Sequence, residues 1–170
     1  MIVWINGAFG SGKSTTAALL AERIPNSRLF DPEFVGYLLT TFVDAPTGDF
    51  QDLPLWRTLT VDTLKGLDRA YDYTWIAPMS LIRADYRDEV LGGLRAAGAE
   101  VREFVLTLPE AALRNRIDED RVDVAARQWR QDHARQALET YANTPDLVLI
   151  TAIAPAEKVA DRIAAALTVA

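Results

Sequence analysis

Short apolar runs alternate with stretches whose apolar residues recur every three or four positions, from one end of the chain to the other. The runs IVWIN (2–6), SRLF (27–30), YTWIAPM (73–79), EVREFVLTL (100–108) and DLVLIT (146–151) predict five strands. Between them, helical spacing predicts a helix over 13–23 and another beginning near Glu33. A long one opens at Pro54, a residue favoured in a first turn, and carries Trp56, Leu59, Leu64, Leu67 and Tyr71. A further helix spans about 84–97 and stops at Gly98, a natural position just past a helix end. Pro109 opens a helix that breaks around DEDR (118–121), a second long helix runs to about Tyr141, and APAEKVADRIAAAL closes the chain. Strands alternating with helices signal a parallel sheet covered on both faces, with Trp4, Trp75 and Phe104 as core residues.

The 170 residues suit one domain and show no repeat, low-complexity tract or linker. With no cysteine and one histidine, disulfides, thiolate metal sites, cysteine catalysis and a multi-histidine zinc site are excluded. MIVWING reaches Gly7 without a basic leader and is not expected to be a signal peptide. The longest apolar stretch, LVLITAIA (147–154), is too short for a bilayer, so the cytoplasm is the expected location, without stable membrane insertion. A net charge of −6 argues against nucleic acid as a partner. Against that acidic background, arginines gather at 114, 116, 121, 127, 130 and 135. Such a cluster suits a small polyanion, and a solvated helix face is its plain alternative.

Directly after the first predicted strand stands GAFGSGKS (7–14), a full match to G-x-x-x-x-G-K-[ST] ahead of a helical pattern. Gly7, Gly10 and Gly12 let backbone wrap closely around phosphates, and the N–H groups from Ala8, Phe9, Ser11 and Thr15 complete an anion cradle at a helix N-terminus. Lys13 is expected to reach the β- and γ-phosphates of ATP, and the Ser14 hydroxyl to ligate Mg²⁺. A switch GTPase would add Asp-x-x-Gly, yet no glycine here has aspartate three residues before it. Motor-type ATPases end a buried strand with an acid, and the third, fourth and fifth predicted strands do not. Only the second ends in a carboxylate, Asp31. That layout is the one of small P-loop kinases, in which an arginine-bearing lid closes over the acceptor. It implies a three-layer α/β/α fold, a five-stranded parallel sheet in the nucleoside-monophosphate-kinase order 2-3-1-4-5, and a helical lid at about 114–135. Arg116 and Arg127 are the preferred catalytic arginines; i,i+4 pairs such as Arg135 with Glu139 account for others.

WINGAFGSGKS, LFDPEFVGYLL, DFQDLPLWR (49–57) and the Pro78–Met79 pair, in that order, resemble the tunicamycin resistance protein family. The resemblance is specific over the first 80 residues and loose in the lid, where DEDRVDVAARQWR matches only in pattern. It implies an ATP-binding phosphotransferase related to shikimate, gluconate and chloramphenicol kinases, acting on a nucleoside-type antibiotic. Asp31, at the carboxyl end of the strand beside the first, is expected to orient or deprotonate the acceptor hydroxyl, while also able to cap the next helix. Glu33 is the weaker candidate, because an acid in a first helical turn has a dipole reason to be there. By resemblance to shikimate kinase, Arg57 holds an acceptor anion, with a surface salt bridge as the alternative. Phe50, Gln51, Trp56, Pro78 and Met79 line the implied acceptor pocket, and His133, lone and mid-helix, is expected to be structural. Three functions stay open: a drug kinase, a nucleotide-dependent drug-sequestering protein, and a kinase for a hydroxylated metabolite. Oligomeric state is not readable from the sequence.

Overall fold

A computed structural model of the chain describes residues 1–121, 124–145 and 147–168. Part of the expected lid (122–123) and the first residue of the expected fifth strand (146) lie outside the described residues. Five parallel strands, β1 (Ile2–Gly7), β2 (Ser27–Leu29), β3 (Thr74–Pro78), β4 (Val101–Thr107) and β5 (Val148–Thr151), form one sheet in the order β2-β3-β1-β4-β5. β1 lies at the centre, with Trp4 in register with Ala77 of β3 and Glu103 of β4. All six of its residues are buried, as a continuous apolar run in a two-sided sheet requires.

The described residues form the α-helices α1 (Lys13–Arg23), α2 (Glu33–Thr40), α3 (Pro54–Ala70), α4 (Ala84–Arg87), α5 (Gly93–Ala96), α6 (Glu110–Glu119) and α7 (Arg127–Asn143) between the strands and α8 (Ala156–Thr168) after the last. The side chains of β1 alternate between two cores. Ile2 and Trp4 pack with Trp56, Leu64, Leu91 and Leu94 under α3 and α5. Val3 and Ile5 pack with Ala17, Leu20, Val159 and Ile163 under α1 and α8. Each such aliphatic side chain, once buried, contributes about 1.5–3 kcal/mol. A third, smaller cluster of Ala8, Leu113, Ile117, Ala134 and Ala137 seats α6 and α7 against the loop after β1.

Two expected elements come out differently. The helix predicted over 84–97 is interrupted by a π-turn at Asp88–Gly92, which leaves two short α-helices. Val90 and Leu91 of that turn and Leu94 after it are all buried in the core. Tyr71 caps the end of α3 with its ring exposed, so the buried face of α3 ends at Leu64 and the half-buried Leu67.

Candidate active site

β1 ends in the segment that makes the site. Gly10 and Gly12 sit at φ +83° and +94°, where a Cβ would be strained, and Gly12 precedes the first turn of α1. Gly7 allows close packing: a Cβ there would stand 2.7 Å from the Ser11 hydroxyl and 2.9 Å from the Leu106 carbonyl. The buried Ser11 hydroxyl has no hydrogen-bond partner, and the loop's backbone curls around the N-terminus of α1. An orphaned polar atom beside a helix N-terminus fits a bound anion, so the residues present suit a nucleotide's phosphates.

The Lys13 ammonium donates to the Gly7 and Ala8 carbonyls at 3.1 and 3.0 Å. Burial pushes its pKa down to about 7; the nearby Glu33 carboxylate opposes the shift and Arg130 adds to it. Ser14 is exposed at the helix start. Among the described residues no group of three His, Cys, Asp or Glu side chains could hold a metal by itself. Mg²⁺ accompanying a nucleotide, with one protein hydroxyl and phosphate oxygens as ligands, fits this arrangement.

Two cavities meet beside this loop. The first, about 500 Å³, is walled by the loop itself, with Pro78, Ser80, Arg116, Asp120 and Arg130 opposite. The second, about 650 Å³, lies between α2, the 47–51 segment and α7, and is walled by Tyr37, Asp49, Phe50, Gln51, Trp129 and His133. Phe9, Glu33, Met79 and Arg130 belong to both walls. A third cavity, about 440 Å³, runs from Gly10–Gly12 to the loop after β5 at 152–156.

A family model described as an AAA domain matches residues 2–140. The structure of the tunicamycin resistance protein of Deinococcus radiodurans is 30% identical, with 98% of this chain and 94% of that one covered at a TM-score of 0.75. The chain belongs to the AAA domain family and to that of the tunicamycin resistance protein. A sugar kinase from Janibacter sp. HTCC2649 shares the fold at 20% identity, TM-score 0.72 and 99% and 95% coverage. The shikimate kinase of Aquifex aeolicus does so at 18% identity, TM-score 0.61 and 99% and 96% coverage. Comparison with curated protein sequences gave no match.

Within this tunicamycin-resistance-type fold, the residues expected around the acceptor divide. Phe50, Gln51 and Met79 stand on the larger cavity's wall, whereas Pro78 faces the phosphate side. Trp56 is fully buried behind Phe50, ring centroids 5.4 Å apart, and its indole N–H donates to the Pro32 carbonyl at 3.0 Å. It supports the wall without being part of it. Arg57, expected at the acceptor anion or in a surface salt bridge, lies on neither cavity wall and is ion-paired with the half-exposed Glu89. Its Nε donates to Glu89 at 2.5 Å, its Nη1 to the Gln51 carbonyl, and its guanidinium lies 4.1 Å from the Tyr86 ring centre.

Of the two acids expected at the acceptor, only Glu33 stands on a wall of these two cavities. Asp31 lies on neither cavity wall; its Oδ1 accepts the Glu33 N–H at 2.9 Å, and burial pushes its pKa up against that hydrogen bond. Glu33 faces both cavities, with one oxygen accepting from the Tyr37 hydroxyl at 2.8 Å. α2 starts at Glu33 as expected, after Pro32 and with its first N–H held by Asp31, and the acid at that first position lies near Lys13.

Among the arginines, Arg116 donates to the Ser11 carbonyl at 3.2 Å and to the Ala152 carbonyl at 2.7 Å, placing it at the phosphate loop. Arg127 reaches the Asp120 carbonyl at 2.8 Å and is on neither wall. Arg130, paired with Asp120 at 2.7 Å, takes the two-sided position instead. Arg135 pairs with Glu110, not Glu139, because α6 packs alongside α7 and brings that acid within 3.3 Å.

Several site residues escaped the sequence reading. Trp129 meets Phe9 edge-on at 4.9 Å and stacks on His133 at 4.2 Å, so the lone histidine is a wall residue. Its i,i+4 spacing from Trp129 was the available signal. Ser80 stands just past β3, where an acid is missing, and donates to the Gly7 carbonyl at 2.8 Å. Behind the loop, Asn6 donates to Glu103 at 2.8 Å and accepts from Leu81 N–H at 2.7 Å and the Tyr141 hydroxyl at 3.1 Å. Arg87 completes this buried network with two bonds to Glu103, at 2.8 and 2.6 Å.

Proposed function

We propose that the protein is an ATP- and Mg²⁺-dependent phosphotransferase that phosphorylates a hydroxyl of a small molecule in the cytoplasm, with tunicamycin or a similar nucleoside compound as acceptor. One observation carries the reading: the phosphate cavity and the larger cavity share a wall made of Phe9, Glu33, Met79 and Arg130. A hydroxyl in one and a γ-phosphate in the other would meet between an acid and a cation.

Glu33 accepts the hydroxyl proton as the acceptor oxygen attacks the γ-phosphorus and the bond to the β-phosphate oxygen breaks. Lys13, which turns from the loop carbonyls to the phosphates, and Arg116 and Arg130 offset the charge that spreads over the transferring group. Bound Mg²⁺, held by Ser14, would draw further charge from the β- and γ-oxygens. Asp31 acts as a positioning residue by fixing the start of α2, and Arg127 as a brace for the 114–135 lid.

The test is incubation of the protein with tunicamycin, and with a panel of hydroxylated metabolites, in MgATP, followed by mass analysis. The expected product is an acceptor heavier by one HPO₃ with an equivalent of ADP. An unchanged drug held tightly by the protein would overturn the reading in favour of sequestration.

A further inference from the structure

Glu33 is the first residue of α2 and is exposed, so its flexible side chain has no preceding helical turn to lean on. The helix N-terminus and the Lys13 ammonium both attract its charge, but attraction of that kind sets no direction. Direction comes from Tyr37, one turn along the same face, whose hydroxyl donates to Glu33 Oε2 at 2.8 Å. Among the described residues no other hydrogen bond reaches that carboxylate. Glu33 stands on both cavity walls and Tyr37 on the larger cavity's wall alone, so the bond draws the carboxylate toward the acceptor side. The tyrosine is itself held: its ring meets Phe34 edge-on at 6.3 Å and Phe50 edge-on at 6.4 Å. Phe50 leans on the fully buried Trp56, 5.4 Å away, whose indole N–H donates to the Pro32 carbonyl just before Glu33. One aromatic row thus fixes both the backbone and the side chain of Glu33.

We infer that Tyr37 is a positioning residue for phosphate transfer: its hydroxyl ties one oxygen of Glu33 to the acceptor side of the shared wall and leaves the other oxygen for the acceptor's proton. The inference rests on the phosphotransferase reading with Glu33 as proton acceptor. The phenol keeps its own proton throughout; the proton of the acceptor hydroxyl passes to the second carboxylate oxygen. A base works only within hydrogen-bond reach of that hydroxyl, and a displacement of about 1 Å is enough to slow the step severely. A long side chain at a helix start samples many rotamers unless something ties it down, and here the tie is a hydroxyl on a braced ring.

Tyr37→Phe keeps the ring and its contacts and removes the hydroxyl alone. Steady-state transfer from MgATP to tunicamycin, or to whichever panel metabolite the parent phosphorylates, tests the role. The expected result is a kcat lower by about tenfold or more, with KM for acceptor and for MgATP each moving less than about threefold. Added to Glu33→Gln, the same change is expected to cost less than about a further twofold, because no base is left to hold. Calorimetric titration with MgADP checks that each variant folds. An unmoved kcat overturns the inference; so does an equal loss in both backgrounds, which makes Tyr37 a structural prop, or a loss carried by acceptor KM, which makes it a binding contact. Full activity in Tyr37→Phe beside a dead Glu33→Gln sinks the inference and spares the reading beneath it. Full activity in Glu33→Gln sinks the base assignment, and the inference with it. No transfer by the parent to any of these acceptors sinks both.

Discussion

Glu33 and Asp31 sit two positions apart on one turn and answer to different tests. If Glu33 takes the acceptor proton, Glu33→Gln lowers kcat by about 10²–10⁴-fold with nucleotide affinity little changed, since the amide keeps the shape and loses the basicity. Asp31→Asn keeps an oxygen able to accept the Glu33 N–H and is expected to lose less than tenfold, whereas Asp31→Ala also costs about 1 kcal/mol of stability through the lost cap. Steady-state kinetics with MgATP titration on the three variants checks the order; a larger loss in Asp31→Asn than in Glu33→Gln reverses the roles. This pair also shows what residue types alone can tell. GAFGSGKS announced its chemistry because backbone, glycine and lysine requirements are local. The choice between Asp31 and Glu33 was not legible, because it depends on which way the first turn of α2 faces. Arg57 hid for the same reason: Glu89 is 32 residues away, and only packing of α3 against the turn after α4 brings them together.

At the scale of elements, the larger cavity depends on how closely α2 approaches the 3₁₀ turn at Phe50–Asp52. Gly36, buried on α2, makes that approach possible, since a Cβ on it would stand 2.5 Å from the Phe50 ring. Gly36→Ala therefore must move Phe50 or α2. Acceptor KM is expected to rise about tenfold or more while nucleotide affinity holds, because the phosphate loop lies on another element. Kinetics with each substrate varied in turn separates the two. A second element-scale prediction concerns the network behind the loop. Glu103 is buried and gathers Arg87 and Asn6, so Glu103→Leu strands both and is expected to cost about 3–5 kcal/mol, read as a lowered denaturation midpoint. Elements were the scale at which the sequence was most transparent. The five strands and their parallel sheet followed from the alternation of strand and helix patterns, and their order from the P-loop kinase layout. The π-turn in 88–92 was not visible, because Val90, Leu91 and Leu94 are spaced as an uninterrupted helix would space them.

For the whole molecule, Lys13 ties stability to nucleotide binding through one proton. Its folded value of about 7 is depressed by burial from 10.5, so between those values the unfolded chain binds more protons than the folded one. Stability must then rise with pH across that window, the penalty being fully present below pH 7 and gone above 10.5. Lys13→Met removes the amine and is expected to flatten that rise, so that its stability relative to the parent is highest near pH 7 and falls away toward pH 10. The same amine loses its reason to be neutral when a triphosphate fills the loop, because the phosphates' negative charge favours its charged form. At pH 8 most of the free protein carries a neutral Lys13, so binding MgATP should take up close to one proton per site. At pH 5.5 the amine is already charged and the uptake from this residue falls to nearly zero. Calorimetric titrations of ATP in buffers of different ionisation enthalpy measure the proton count directly. Uptake that is equal at the two pH values, or that persists in a Lys13→Met protein still able to bind nucleotide, would locate the coupling elsewhere. With the expected result, a neutral amine on the loop carbonyls and a charged one on the phosphates are two protonation states of one group, and binding selects between them.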